Sequence, residues 1–191
     1  MASDDFNRTN ANPLDGSWNT STAWGNLKLA TNAVTIVTAS SDSAMVHSTS
    51  TATDSQVKLT TTDTLTVAGP ALHMSTTAGD GYALLFNLGF WHVYELPGFS
   101  SLGSWFATPS LANNDVARLR RGAGDTLIAS INGTDRVTTA ATTTFLSGKP
   151  GIFIYDGTTV MDDWTDGVAA AAADTTTVIM PQMVPTGWGR R

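Results

Sequence analysis

The chain has no cysteine, so disulfide frameworks, thiolate metal sites and cysteine nucleophiles are excluded, while the redox compartment stays open. It is also poor in charge: Asp, Glu, Lys and Arg make up 14% of its 191 residues, against roughly 25% in an average soluble domain. Of 16 acidic residues Glu95 is the sole glutamate; lysine occurs only at Lys28, Lys58 and Lys149, and glutamine only at Gln56 and Gln182. These straight-chain residues normally cover exposed helix surfaces, so their scarcity argues against a helical protein. The net charge of −6 offers no electrostatic footprint for nucleic acid or an anionic membrane. No stretch approaches the roughly 18 apolar residues of a membrane span. The opening Met1-Ala-Ser-Asp-Asp-Phe6 has neither a basic nor an apolar segment, so no secretory leader is visible.

What is present is threonine, at 31 positions, with serine, asparagine and glycine. Threonine is stiff at χ1 and suits a pleated surface. The composition therefore points to an all-β domain whose exposed faces carry hydroxyls rather than charges. Turn signals recur at Asp15-Gly16, Asp80-Gly81, Pro97-Gly98, Asn132-Gly133, Pro150-Gly151 and Asp156-Gly157. Between them lie short runs of strand character at 34–38, 56–60, 71–76, 82–88, 90–96, 116–120, 126–131 and 152–155. Asn132-Gly133 between two such runs predicts a two-residue hairpin over 126–137. About a dozen strands and no helix read as a sandwich or barrel.

Several segments resemble laminin-G-like, concanavalin A-like jelly rolls, a fold common in phage and bacterial structural proteins. They are Asp4-Asp5-Phe6-Asn7-Arg8 with Pro13 to Trp18, Gly81-Tyr82 with Phe90 to Tyr94, Leu119-Arg120-Arg121, Ile131-Asn132-Gly133, Phe145 to Ile152, and Asp162-Asp163-Trp164. The resemblance covers about residues 4–167 and implies a two-sheet antiparallel jelly-roll sandwich. It also implies that the strand near Phe6 lies beside the one near Trp164. Phe6 and Trp164, each framed by aspartates, are expected as inward residues of edge strands that close the domain. Residues 1–167 then form the jelly-roll domain, and residues 168–191 an extended C-terminal arm. That arm carries Ile179, Met180, Met183, Val184 and Trp188, which either pack on their own domain or dock on a neighbouring subunit.

Motifs for chemistry are scarce. The jelly-roll glycosidases use a Glu-x-Asp-x-x-Glu strand, which a chain with one glutamate lacks. Asp162 and Asp163 are adjacent in a strand, so they are expected to point to opposite faces. There is no Gly-x-Ser-x-Gly elbow and no phosphate loop. His47, His73 and His92 lack a short ligand spacing, and Asp162 to Gly167 departs from a calcium loop at Trp164 and Ala173. Arg118, Arg120 and Arg121 form a small basic cluster expected to pair with aspartates. No cofactor and no catalytic activity are expected.

The remaining candidates are contact surfaces. Trp91, Tyr94, Phe99, Trp105 and Phe106 cluster within a short stretch, and 96–106 reads as an apolar loop that either meets sugar or protein or folds back on the core. Combined with the jelly-roll resemblance and the missing leader, the leading expectation is a non-enzymatic virion protein of a tailed phage. It would decorate or cement the capsid surface after assembly in the host cytoplasm. Its partners would be the major capsid protein and identical subunits, in a homo-oligomer such as a trimer, with no nucleic acid and no membrane. The alternative is a carbohydrate-binding module on a tail fibre or other appendage.

Overall fold

The computed structural model describes residues 1–20, 23–38, 42–61, 67–87, 89–106, 111–155 and 160–167. In chain order the strands are β1 (Ser3–Asp4), β2 (Trp18–Thr20), β3 (Leu27–Leu29), β4 (Val34–Ile36), β5 (Ser43–His47), β6 (Asp54–Thr61), β7 (Val67–Met74) and β8 (Gly81–Asn87). They continue with β9 (Phe90–Leu96), β10 (Ser100–Phe106), β11 (Asp115–Arg121), β12 (Leu127–Ile131), β13 (Thr134–Thr138), β14 (Lys149–Tyr155) and β15 (Val160–Thr165). Among the described residues the only helical element is a 3-10 turn at Ala123–Asp125.

Two antiparallel sheets face each other as a jelly-roll sandwich. Sheet A runs β13-β12-β11-β6-β15-β4-β3, with β1 also paired to β15; sheet B runs β10-β9-β8-β7-β14-β5-β2. The core between them holds alternate residues of both sheets, including Val57, Leu59, Leu119, Leu84, Trp91, Ile152 and Trp164. At one flank Ala11 and Leu14 bond the backbone of Leu29 and Leu27, covering the free edge of β3. At the other flank Val137 of β13 packs on Gly103 of β10, so the two sheet edges meet.

The expected hairpin is present. Asn132 and Gly133 have φ of 50° and 76°, the two positive values that a type I′ turn between β12 and β13 requires. A second two-residue turn, Thr31-Asn32 between β3 and β4, also has two positive φ angles, 55° and 59°. Asn tolerates that region, whereas β-branched Thr31 is strained there by about 1–3 kcal/mol.

Three expectations are corrected. Residues 100–106 are not a loop but an edge strand, β10, joined to β9 by a turn at Pro97–Phe99. A bulge between Ser101 and Gly103 breaks the period of two, so Leu102 and Trp105, three apart, both face the core. Trp164 does lie opposite Asp4, but β15 is an interior strand, flanked by β6 on one side and by β4 and β1 on the other. Phe6 lies past the end of β1, with φ of 53°. Finally, Asp162 and Asp163 do not diverge. A bulge between Asp162 and Thr165, with Asp163 at φ 47°, brings both carboxylates to the Lys58 ammonium.

The charges also have a place that composition did not show. Lys58, Arg118, Arg120, Asp54 and Asp162 all lie on the outer face of sheet A, in a band with Gln56 and Thr60. Arg118 pairs with Asp54, Arg120 with Asp135 at 2.8 Å and Arg121 with Asp125 at 3.0 Å. The outer face of sheet B is apolar instead: Ala44, Val46, Ala71, Ala83, Leu85 and Phe153 are fully buried there. Sheet B is thus apolar on both sides.

Candidate functional site

Pairing registers place the outward residues of sheet B in rows across the strands. Asn87 on β8 lies opposite Phe90 on β9, which lies opposite Phe106 on β10. On the other side Tyr155 on β14 lies opposite Val67 on β7. Continuing the β7–β8 register from Ala71–Ala83 brings Val67 opposite Asn87. One row at the end of the sheet therefore reads Tyr155, Val67, Asn87, Phe90. The next row inward reads Ala44, Phe153, Gly69, Leu85, His92, Ser104.

The two parts of this face differ. Over its middle, Trp24 and Phe99 sit on Phe153, with ring centroids 5.3 and 5.8 Å away, and Trp24 donates its indole N–H to the Gly79 carbonyl at 3.1 Å. That part is filled by the chain's own aromatics. In the end row Phe90 and Tyr155 are each 41% exposed, with half-buried Asn87 between their strands. Three inter-strand steps separate β14 from β9, about 14 Å. Down β9, Phe90, His92 and Tyr94 share this face. His92 stacks on Tyr94 at 5.1 Å and 18°, and lies 6.1 Å from Phe90. Burial lowers the His92 pKa, so the ring is neutral at pH 7, and its Nδ1 has no partner among the described residues. Exposed Ser101 and Ser104 border the ladder on β10. The result is an uncharged strip of ring faces and edges, one carboxamide and two hydroxyls. It can stack on an apolar ring face and exchange hydrogen bonds with neutral polar groups.

The expected contact residues divide across this geometry. Tyr94 lies on the strip and Phe99 beside it, 5.8 Å from Tyr94. Trp91 is not a surface residue: it is 2% exposed, on the inward face of β9, edge-on to Phe86 and stacked with Trp105 at 6.0 Å. Trp105 is half-buried on the same inward side, because it lies directly opposite Trp91. The side chain of Phe106 falls outside the described set, as do Ile179, Met180, Met183, Val184 and Trp188 with all of residues 168–191. Phe6 and Trp164 are buried, joined through Trp18, whose ring lies 5.8 Å from the first and 4.9 Å from the second. Phe90 was legible from alternation once Trp91 is turned inward. Tyr155, Trp24 and Asn87 join the face only through strand pairing or a loop crossing.

The carboxylates are mostly tied into the scaffold. Asp166 accepts from Ser50 Oγ at 2.5 Å and from the Ala2 amide at 2.7 Å, and Asp4 accepts from the Trp18 indole at 2.7 Å. Among the described residues no group of three or more histidine or acidic side chains is gathered as a metal ion would need.

No family model matches the chain, and no curated protein sequence matches it. Solved structures do match its fold. A carbohydrate-binding module, CBM66 from Bacillus subtilis, superposes with a TM-score of 0.62 at 12% identity, over 77% of this chain and 91% of that one. A β-1,3-1,4-glucanase (lichenase) from a mouse hindgut metagenome gives 0.55 at 10% identity, over 85% and 96%. The metal-free carbohydrate recognition domain of Emp46p gives 0.54 at 12%, over 80% and 89%. At these identities the likeness establishes the galectin-like, concanavalin A-like jelly roll.

Proposed function

We propose that this chain is a non-catalytic binding domain that holds a saccharide chain along the end row of sheet B. The observation that carries this reading is the row Tyr155, Asn87, Phe90 continuing into His92 and Tyr94: two exposed rings on one face, a carboxamide between them with no partner among the described residues, and no charged side chain among these five. Sugars present apolar C–H faces and hydroxyl edges, which match rings and neutral hydrogen-bonding groups. Two of the similar folds described above are a carbohydrate-binding module and a carbohydrate recognition domain, which supports the same choice. A catalytic role has no support from the carboxylates, since the single glutamate excludes the two-glutamate strand and seven of the twelve aspartates among the described residues are held in ion pairs.

The test replaces Phe90 and Tyr155 together with alanine, followed by a glycan array and affinity electrophoresis. Both side chains are partly exposed, so the fold should survive, as circular dichroism will check. The expected result is a loss of saccharide binding of about five- to 150-fold, two ring contacts each contributing about 0.5–1.5 kcal/mol. Unchanged binding in the double variant, or no binding by the parent to any glycan, would remove this reading. Trp91→Ala is unsuitable, because it would empty the core.

A second reading, the virion decoration role on a capsid surface, rests on a sequence feature: six apolar residues between 178 and 188 in an otherwise polar chain. On that reading, deleting residues 168–191 converts an oligomer into a monomer of unchanged melting temperature, as sedimentation and calorimetry would record. A parent chain that is already monomeric and fails to bind capsids would sink it.

A further inference from the structure

A second cleft lies on the opposite sheet, where sheet A splits. β15 is bordered on one side by β4 at Met161–Val34 and, further along, by β1 at Trp164–Asp4 and Thr165–Ser3. The bulge at Asp162 and Asp163 separates these two partners. The gap is a cleft of about 610 Å³, lined by Asn7, Thr31, Asn32, Thr35, Thr60 and Asp162. This volume falls within the range of small-molecule sites. Ala30, Ala33 and Val160 add aliphatic surface between the polar groups.

Three features give the gap a chemical preference. Hydrogen-bonding capacity is left open: the carboxamides of Asn7 and Asn32 and the hydroxyl of Thr35 have no protein partner among the described residues. Charge is balanced, because Asp162, the one charged side chain of the lining among the described residues, is 3.2 Å from Lys58, which also pairs with Asp163. Lys28 lies opposite Thr35 in register but does not line the cleft. Among the described residues of the lining, an inorganic cation would find one carboxylate that is already engaged, and an anion would meet that carboxylate with no cation beside it. Lastly, the strained Thr31-Asn32 turn is held over the gap by a bond from the Thr31 amide to Asn10 Oδ1 at 2.9 Å. Asn-Gly would make this turn without strain, so Thr31 is kept there at a conformational cost, while Asn32 tolerates the position.

We propose that the split between β1 and β4 is a second saccharide site, taking a neutral mono- or disaccharide unit by hydrogen bonds to Asn7, Asn32 and Thr35. Carboxamides, hydroxyls and one carboxylate acceptor, set among small aliphatic groups, suit a ligand of alternating hydroxyls and C–H faces. This site stands independently of the strip on sheet B. With both occupied, the domain bridges two glycan chains from opposite faces and gains avidity on a glycan surface.

The experiment is a backbone-amide NMR titration of the full chain with trisaccharides of glucose, galactose, mannose and fructose, and with a glucuronate trisaccharide as the charged control. Shifts are expected at Asn7, Thr31, Asn32 and Asp162 with at least one neutral sugar. Asn32→Gly keeps the left-handed backbone and removes the carboxamide, and Thr35→Val removes the hydroxyl at equal size. Each should weaken the cleft site about tenfold and leave shifts near Phe90 and Tyr155 unchanged. No shift at the cleft with any trisaccharide, equal affinity in both variants, or a preference for glucuronate would overturn the proposal. The Phe90 and Tyr155 double variant reads the other face separately, so either site can fail alone.

Discussion

Replacing Trp164 with alanine will destabilise the domain by about 3–5 kcal/mol, the usual range for a fully buried tryptophan. Trp164 is 1% exposed and lies between two rings. Its centroid is 4.9 Å from Trp18, edge-on, and 5.0 Å from His47, stacked at 15°. Its indole N–H donates to Ser55 Oγ at 3.0 Å, and Ser55 Oγ donates to the Gly151 carbonyl of sheet B at 2.8 Å. One side chain therefore joins β1, β2, β5, β6 and β14 across both sheets. Truncation leaves a cavity, removes two aromatic pairs and deprives the Ser55 hydroxyl of its donor. Aromatic pairing adds to the area term, which places the cost towards the upper end. A chain of this length loses about 2–4 °C per kcal/mol, so the melting temperature should fall by about 10–15 °C. A loss below about 1 kcal/mol by denaturant unfolding would show that the ends of the domain are not held through this residue.

Acidification from pH 7 to pH 5 should also destabilise the domain, with His73 as the main cause. His73 is 4% exposed, neither ring nitrogen has a partner among the described residues, and burial together with Arg121 lowers its pKa to about 4. Its placement comes from a bulge in β7. Met74 lies opposite Lys149 and Ala71 opposite Gly151, and His73 in the extra length turns to φ 54° beside the Tyr82 ring at 6.3 Å. Because the folded pKa lies below the unfolded value of about 6.5, the unfolded chain binds the proton first. Stability is therefore full above about pH 6.5 and falls as pH drops towards 4. The whole shift would be worth about 3 kcal/mol, and solvent screening reduces this to about 2 kcal/mol. His47 and His92 are lowered by burial and act in the same direction, whereas Asp42, raised by burial, opposes them at the acid end. Asn tolerates the left-handed backbone, so His73→Asn should flatten the profile between pH 7 and 5. An unchanged slope in that variant, measured by thermal melts, would assign the effect elsewhere.

Strand identity was readable wherever alternation or a turn signal was clean. Phe90–Leu96 is β9 with the expected bounds, and Asn132-Gly133 forms the expected hairpin. Bulges defeated the reading elsewhere. At Ser101 to Gly103 the bulge puts Leu102 and Trp105 on one face, and the segment then looks like a loop with scattered apolar residues. At Asp162 and Asp163 it places two neighbouring carboxylates on one lysine, where alternation alone would separate them. β5, Ser43–His47, is buried throughout yet has no polar-apolar alternation to announce it, because both faces of sheet B are covered. The binding strip was half legible. An aromatic concentration near residue 90 is visible in the chain, but which rings face outward depends on Trp91 being inward. Tyr155 joins only through the pairing of β14 with β7.

Composition by itself determined the class of this protein. A chain so poor in glutamate, lysine and glutamine and so rich in threonine cannot cover helices and can cover sheets, and one glutamate excludes the two-glutamate jelly-roll glycosidase strand. The tertiary structure alone decided where the few charges and exposed rings lie. Lys58, Arg118 and Arg120 pair with aspartates on the outer face of sheet A, and the exposed rings of Phe90 and Tyr155 lie on the outer face of sheet B. The physical reason is that a face is a property of register: the chain specifies which residues alternate, while long-range pairing and its bulges specify which of them become neighbours.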